Sequence, residues 1–319
     1  MTGAPEDDPP GEAPLPHTLI VPAPAKVNLF LRVVGRRDDG FHDLETLVVP
    51  VALEDRLRVH AFADPAVFRS LSVSLEITGD PASTAGVPLD ETNLVLRAAA
   101  AMSEAAGGIR GFAEFVLEKR VPAAAGLGGG SGDAAAALRA LDDLWETDLS
   151  DERLRAIGAE IGSDVPAMLA GSAVIARGRG ERVEPVVLAG FDMVLVPFPF
   201  GVSTADAFRW WDEDGSATGP DPAAVLAAVT SGAVADGLAN DLQEPVVARH
   251  PEIGRVRDLL LEGGASAAVM SGSGPTMVGV LPPGGRGIEP GATAAIEEIS
   301  GVPVIETQTR GSSRGVQGG

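Results

Sequence analysis

Cysteine is missing from the 319 residues. Disulfides, thiolate nucleophiles and cysteine-based zinc sites are therefore excluded. The four histidines (His17, His42, His60 and His250) show no metal-ligand spacing, so no metal residue is assigned. No apolar run reaches the roughly 18 residues that a membrane span needs. Basic residues are in short supply: 24 against 45 acidic ones, a net charge of −21. A chain so acidic offers no basic patch for nucleic acid. Lysine is scarcer still, since only Lys26 and Lys119 occur and arginine fills every other basic position. A compact ammonium on a flexible stem does what guanidinium cannot, which draws attention to both. Tyrosine, too, is absent.

Apolar, β-branched runs at 27–34, 44–51, 57–61 and 71–77 read as strands. A helix follows over 93–106, stopped by Gly107-Gly108, and then an alternating strand over 112–118. A helix ending near Trp145 comes next, and another over 150–160 with Ser150 as its cap. In the second half the pattern gives strands at 173–177, 192–197, 267–270, 276–281 and 304–307. Helices are expected at 204–211, 222–230, 253–262 and 292–299. This order predicts two α+β domains, 17–171 and 172–308, with disordered ends over 1–16 and 309–319. The first sixteen residues are acidic and proline-rich and lack a signal peptide's basic and apolar regions, so the cytoplasm is the expected location. Monomer or weak homodimer is the expected state.

Between the strand over 112–118 and the helix ending near Trp145 lies "VPAAAGLGGGSGDAAAA", with five glycines between Gly126 and Gly132. Glycine is entropically costly in ordered structure. A tight strand-to-helix connection needs one or two, so five point to backbone amides brought close to an anion at a helix start. Ser131 adds a hydroxyl there. A Walker loop is excluded, because no Gly-Lys pair exists in the chain. A dinucleotide fingerprint fits only loosely, because the segment from Ser150 reads as a helix where a strand is required. The partner motifs of protein kinases are missing.

Pro122, Gly126, Leu127, Gly128 and Gly129 resemble the nucleotide loop of the GHMP small-molecule kinases. "PAKVNLFLRVVGRRDDGFHDLETL" (24–47), "GLGGGSGDAA", "IGSDVPAML" and "SGSGPT" follow the order and spacing of one family among them, the 4-diphosphocytidyl-2-C-methyl-D-erythritol kinases. The resemblance runs from Ala23 to about Leu281. It implies a two-domain α+β fold, with an N-terminal ATP-binding domain and a C-terminal ferredoxin-like one. It also implies transfer of the ATP γ-phosphoryl group to the 2-hydroxyl of a cytidine-diphosphate-linked methylerythritol in the non-mevalonate isoprenoid route. A small-molecule substrate, ATP and Mg²⁺ come with that reading, and no nucleic acid or membrane partner.

Residue by residue, the resemblance implies Asp164 as the catalytic base and Lys26 as its cationic partner. The nucleotide falls to Pro122, Ala123, Ala124, Ala125, Gly126, Leu127, Gly128, Gly129, Gly130, Ser131 and Gly132, with Lys119 and Asn93 beside it. The substrate falls to Asn28, Phe41, His42 and Thr204. Phe41 stands where the family has tyrosine, which keeps a stacking ring and loses a hydroxyl. Plainer readings exist for several: Asp164 and Asn93 as helix caps, His42 as a turn residue after Gly40, and "SGSGP" as a hairpin turn. Two other functional classes fit the glycine loop: a homoserine- or mevalonate-type kinase, and a nucleotide-binding protein without turnover.

Overall fold

A computed structural model describes residues 17–214, 219–231, 233–285 and 287–310. The segments 1–16 and 311–319, where disordered ends are predicted, lie outside the described residues.

The first half runs β1 (Thr18–Arg36), β2 (His42–Ala63), β3 (Leu71–Gly79), α1 (Pro81–Thr84), α2 (Leu94–Ala105), β4 (Gly111–Lys119), α3 (Gly129–Leu144), α4 (Asp151–Ile161) and α5 (Val165–Ala170). Next come β5 (Val174–Gly178), β6 (Arg182–Pro185), β7 (Asp192–Val196), α6 (Thr204–Glu213), α7 (Pro222–Thr230), a 3₁₀ turn (Val234–Gly237) and β8 (Ala239–Asn240). The chain continues through α8 (Gln243–Arg249), α9 (Pro251–Glu262), β9 (Ala267–Met270), β10 (Met277–Val280), α10 (Pro290–Ser300) and β11 (Ile305–Gln308).

Two sheets result. The larger runs β3-β4-β2-β1-β8, with β5 pairing onto β2 and β6 onto β5. The smaller runs β11-β7-β10-β9 with antiparallel pairing throughout. In chain order that is a fourth-first-third-second arrangement, the ferredoxin-like pattern, with α6, α7, the 3₁₀ turn, β8 and α8 inserted before its first helix, α9. Alternation along the strands builds the cores. Leu57, Val59 and Ala61 of β2 and Ala113, Phe115 and Leu117 of β4 pack under the alanine-rich face of α3 and under α2. Val27 and Leu29 of β1 join Leu47 and Val49 to Leu195, Val278 and Val280, which welds the larger sheet to the smaller one.

Three sequence expectations change. The boundary near Gly171 does not separate the sheets, because β5 pairs with β2 and β6 with β5, which extends the first sheet to Pro185. β5 is buried but only five residues long, and β6 is exposed. A strand so short and polar carries little alternation to read. The strands expected at 44–51 and 57–61 form one continuous β2, since Glu54–Arg56 stays paired with β1 across a register shift instead of turning. Residues 309 and 310, assigned to the disordered tail, are ordered. Thr309 bridges to Val51, and Arg310 donates its amide to the Pro50 carbonyl at 2.9 Å and pairs with Glu54 at 2.9 Å.

One of the two lysines anchors this frame. Lys119 ends β4 and is 4% exposed. Its ammonium donates to the carboxylate of Asp55 on β2 and, at 2.9 Å, to Asp133 on α3. Asp55 also accepts the backbone amides of Arg120 (2.6 Å) and Val121 (2.8 Å). The ammonium's affinity for its proton is lowered by burial but raised on balance by the two carboxylates. Asp133 is worse off: its Oδ1 is buried without a partner among the described residues. Burial, only partly offset by Lys119 and reinforced by Asp55, pushes its pKa up to about 7.

A carboxyl that holds its proton more tightly folded than unfolded contributes most stability below about pH 4, and that contribution is lost as pH rises to about 7. Asp133→Asn removes the titration. Urea midpoints should show this variant gaining on the parent between about pH 4 and about pH 7. An unchanged difference would mean that Asp133 is ionised throughout.

Candidate active site

The other lysine lies where β1 is least regular. The β1–β2 register shifts between Pro24 and Lys26 and again between Asn28 and Phe30. Such irregularities re-aim side chains. Lys26 and Asn28 therefore leave the strand on the same side, as their spacing predicts, while Val27 enters the core. The Lys26 ammonium is 4% exposed. It donates to Asn28 Oδ1 at 2.7 Å and to the Gly126 carbonyl at 3.0 Å, and it stands 3.4 Å from Asp164 Oδ2. Asn28 passes the chain on, donating to Thr46 Oγ1 at 2.8 Å, which donates to the Phe30 carbonyl at 2.6 Å. The ammonium is thus fully committed and its direction fixed.

Asp164 occupies the cap position of α5 but makes no capping hydrogen bond. Its carboxylate is instead free to face Lys26, and its side chain is 38% exposed. The helix-cap reading therefore does not hold for this aspartate. It does hold for Asn93, which accepts from the Val95 amide at 2.9 Å and donates to the Pro88 carbonyl at 2.7 Å. With both amide functions engaged and the residue buried, Asn93 is a cap and does not reach the cavity described below. Lys119 does not reach it either. Its ammonium lies beneath the loop, committed to Asp55 and Asp133.

The glycines have separate reasons. Gly126 and Gly128 have φ of +77° and +64°, where side chains are strained. A Cβ at Gly126 would stand 2.6 Å from the Gly274 carbonyl oxygen, and one at Gly128 would run into the Lys26 stem at 2.8 Å. A Cβ on Gly132 would meet the Pro24 carbonyl oxygen at 2.5 Å, so this glycine lets α3 lie on β1. Gly129 packs on Val121 and Lys119, while a Cβ on Gly130 would meet only Leu94 at 3.5 Å. Packing thus explains four of the five but not Gly130, at the opening of α3. Ala125 and Leu127 bury their side chains in the core, leaving their backbone to the loop. The loop is held from below: Thr276 donates to the Ala125 carbonyl at 2.5 Å, and the Lys26 amide to that of Leu127 at 2.9 Å. The "SGSGP" turn is thus more than a hairpin. Ser271 accepts the Asn28 amide at 3.0 Å, and Asn240 holds the Met270 and Gly272 carbonyls at 2.7 Å each.

A cavity of about 860 Å³ opens over this floor. Lys26, Asn28, Gly126, Gly128, Asp164, Phe41, His42 and Thr204 all line it. Phe41 is half exposed. His42 is stacked on Phe208 with centroids 4.8 Å apart, and its Nε2 is 3.0 Å from Asp212 Oδ1. Asp212 also pairs with Arg36 at 3.6 Å. Thr204 Oγ1 is 3.2 Å from Ser273 Oγ, across from the "SGSGP" turn. Thr46, Phe208, Asp212 and Arg179 are wall residues that sequence reading did not single out. Thr204, Phe208 and Asp212 sit four apart on α6, a spacing that puts them on one face and was open to reading. Among the described residues no group of three or more histidine, aspartate or glutamate side chains converges as a metal site. No helix there is long and apolar enough to cross a membrane.

Two family models match the chain: GHMP kinases N terminal domain over residues 93–172 and GHMP kinases C terminal over 222–288. The 4-diphosphocytidyl-2-C-methyl-D-erythritol kinase of Pelotomaculum thermopropionicum is 42% identical over 262 residues, 81% of this chain and 87% of that protein. The protein of the same name from Xanthobacter autotrophicus is 45% identical over 265 residues, 80% of this chain and 87% of its own. The crystal structure of a 4-(cytidine 5'-diphospho)-2C-methyl-D-erythritol kinase superposes with a TM-score of 0.72 at 36% identity, covering 92% of this chain and all of that one. A homoserine kinase from Cytophaga hutchinsonii reaches 0.67 at 17% identity, a likeness of fold alone.

The glycines can be separated by experiment. Gly132→Ala should lower the melting temperature, because its methyl meets backbone. Gly130→Ala has room and should melt like the parent, yet bind nucleotide several-fold more weakly, since a methyl there crowds only a ligand. Calorimetric nucleotide titration alongside thermal melts checks both. Unchanged affinity in folded Gly130→Ala would show that phosphates do not approach the start of α3.

Proposed function

The chain belongs to the 4-diphosphocytidyl-2-C-methyl-D-erythritol kinase family of the GHMP kinases, and we propose that it phosphorylates the 2-hydroxyl of that cytidylylated methylerythritol from ATP through Asp164 and Lys26. The observation that carries the mechanism is the Lys26–Asp164 pair, 3.4 Å apart beside the glycine loop on the floor of the cavity. Phosphoryl transfer asks mainly for alignment and charge neutralisation, with a group to take the hydroxyl proton. Asp164 accepts that proton as the substrate oxygen bonds to the γ-phosphorus. The bond to the bridging oxygen breaks, and its electron pair leaves with ADP. Lys26 orients Asp164 and offsets negative charge on the transferring group. Its commitment to Asn28 and Gly126 means that it need not reorganise during the step. The loop amides hold the nucleotide phosphates. Asn28, Phe41, His42 and Thr204 hold the substrate, with Phe41 offering a ring to the cytosine. The Asp212 contact fixes the His42 imidazole and leaves Nδ1 for the base.

Mg²⁺ suits this site as a companion of the nucleotide, since the described residues form no protein cage and the ion ordinarily keeps water and phosphate oxygens as ligands. When bound it neutralises phosphate charge.

Incubating the purified protein with ATP and the cytidylylated substrate, with homoserine and mevalonate alongside, tests the activity by phosphorus NMR. Turnover is expected with the first acceptor alone. Asp164→Asn should lower kcat by about 10²–10⁴-fold while both substrates still bind. Lys26→Met should lower it as well. The two act as a unit, so the double variant should lose far less than the product of the single losses. Near-parental turnover by Asp164→Asn in a single-turnover assay would remove the residue from the chemistry.

His42→Ala should raise KM for the cytidylylated substrate and leave ATP affinity nearly unchanged. If ATP binding is what falls, the base end of the cavity has been assigned to the wrong ligand.

A further inference from the structure

Four cationic side chains line the cavity, and three are neutralised. Lys26 faces Asp164, Arg36 pairs with Asp212, and Arg209 pairs with Asp206 at 2.8 Å and Glu213 at 3.0 Å. Arg179 differs. Among the described residues no carboxylate lies within ion-pair distance of it. Asp39, whose carboxyl feels its charge, is itself engaged by Arg37 at 3.1 Å. The Arg179 guanidinium instead lies over the Phe41 ring, 3.8 Å from its centroid. In a protein of net charge −21, an exposed arginine without an acid partner inside a cavity is conspicuous.

Its backbone is arranged to put it there. Gly178 and Gly180 on either side have φ of +74° and +111°. The Arg179 amide donates to Glu181 Oε2 at 2.7 Å, closing the β5–β6 turn. A Cβ on Gly180 would stand 3.0 Å from the Ser163 carbonyl oxygen, so the turn is seated on the residue preceding Asp164. Arg179 thus has its main chain against the transfer end of the cavity and its head on the ring at the other end.

On the proposed function, the substrate spans that same distance. Its base meets Phe41 and His42, its hydroxyl meets Asp164, and a diphosphate joins the two halves. We infer that Arg179 is the residue that binds the substrate's diphosphate, reaching it from its place over the Phe41 ring. Guanidinium suits the task, since its fork matches two phosphate oxygens at once. Stacking on Phe41 holds the cation in the cavity at modest cost. Arg179 would then set the preference for diphosphate-linked substrates over shorter nucleosides.

Titration calorimetry of cytidine, cytidine monophosphate and cytidine diphosphate against the parent, Arg179→Ala and Arg179→Lys tests this, with steady-state kinetics of the cytidylylated substrate. Arg179→Ala should weaken the diphosphate by about ten- to a hundredfold, the range of a lost charge-assisted contact. It should raise KM for the substrate by a similar factor with kcat little changed, and alter cytidine affinity by less than about twofold. Arg179→Lys should recover part of the loss, as a point charge would. Equal weakening of cytidine and the diphosphate would overturn the inference, leaving Arg179 as packing for Phe41. So would no change in either. Turnover by the parent protein tests the kinase reading separately: its failure sinks that reading, whereas parental turnover with an unselective Arg179→Ala sinks only this one.

Discussion

An ammonium buried beside a sheet must be met by acceptors, and the active site is organised by how Lys26 meets them. One comes from its own strand, one from the glycine loop and one from the turn into α5. Each element is thereby fixed relative to the others by a single atom. The Lys26 stem also occupies the space that a side chain at Gly128 would need. Loop sequence and lysine position are consequently one constraint, not two. The acceptors offset the cost of burying the ammonium while keeping its charge beside the Asp164 carboxylate.

Lys119 solves the same problem for a different end. It too is buried and meets acceptors from separate elements, β2 and α3, but both are carboxylates and the cluster is closed. That leaves one carboxyl oxygen of Asp133 unmatched beneath the helix that carries the loop. Buried ionic clusters are weak contributors to net stability and strong determinants of which arrangement forms. Here the arrangement in question is the seating of α3 on the sheet. An arginine in either place would bring a broad planar head into a space filled by one nitrogen.

Much of this was open to reading in the chain itself. The bounds of α2, α7 and β9 are close to those the periodicity gives, because each is a cleanly patterned run between turn signals. The pairing of Lys26 with Asn28 follows from strand alternation alone. Other features depend on long-range contact. Nothing local marks Asn93 as bonded on both amide atoms; its contact with the Pro88 carbonyl is set by how the preceding loop folds back. Lys119 precedes the loop in sequence, yet its direction is set by Asp55, sixty-four residues earlier. β6 and β8 are strands because partners are near, and their polar, short sequences carry no sign of it. Arg179 was announced only by the glycines on both sides, a pattern equally expected of an ordinary tight turn.

The wall around His42 draws on both halves of the protein. Phe41 and His42 follow β1 of the larger sheet, whereas Phe208 and Asp212 ride on α6, which packs with the smaller one. The seam between the lobes therefore passes through the His42 end of the pocket, and any occupant there acts as mortar between them. The glycine loop is tied to the same seam, because Thr276 and Gly274 of the second lobe meet it from below, so damage to the cohesion of the two lobes, even far from the pocket, reaches both ends of the cavity.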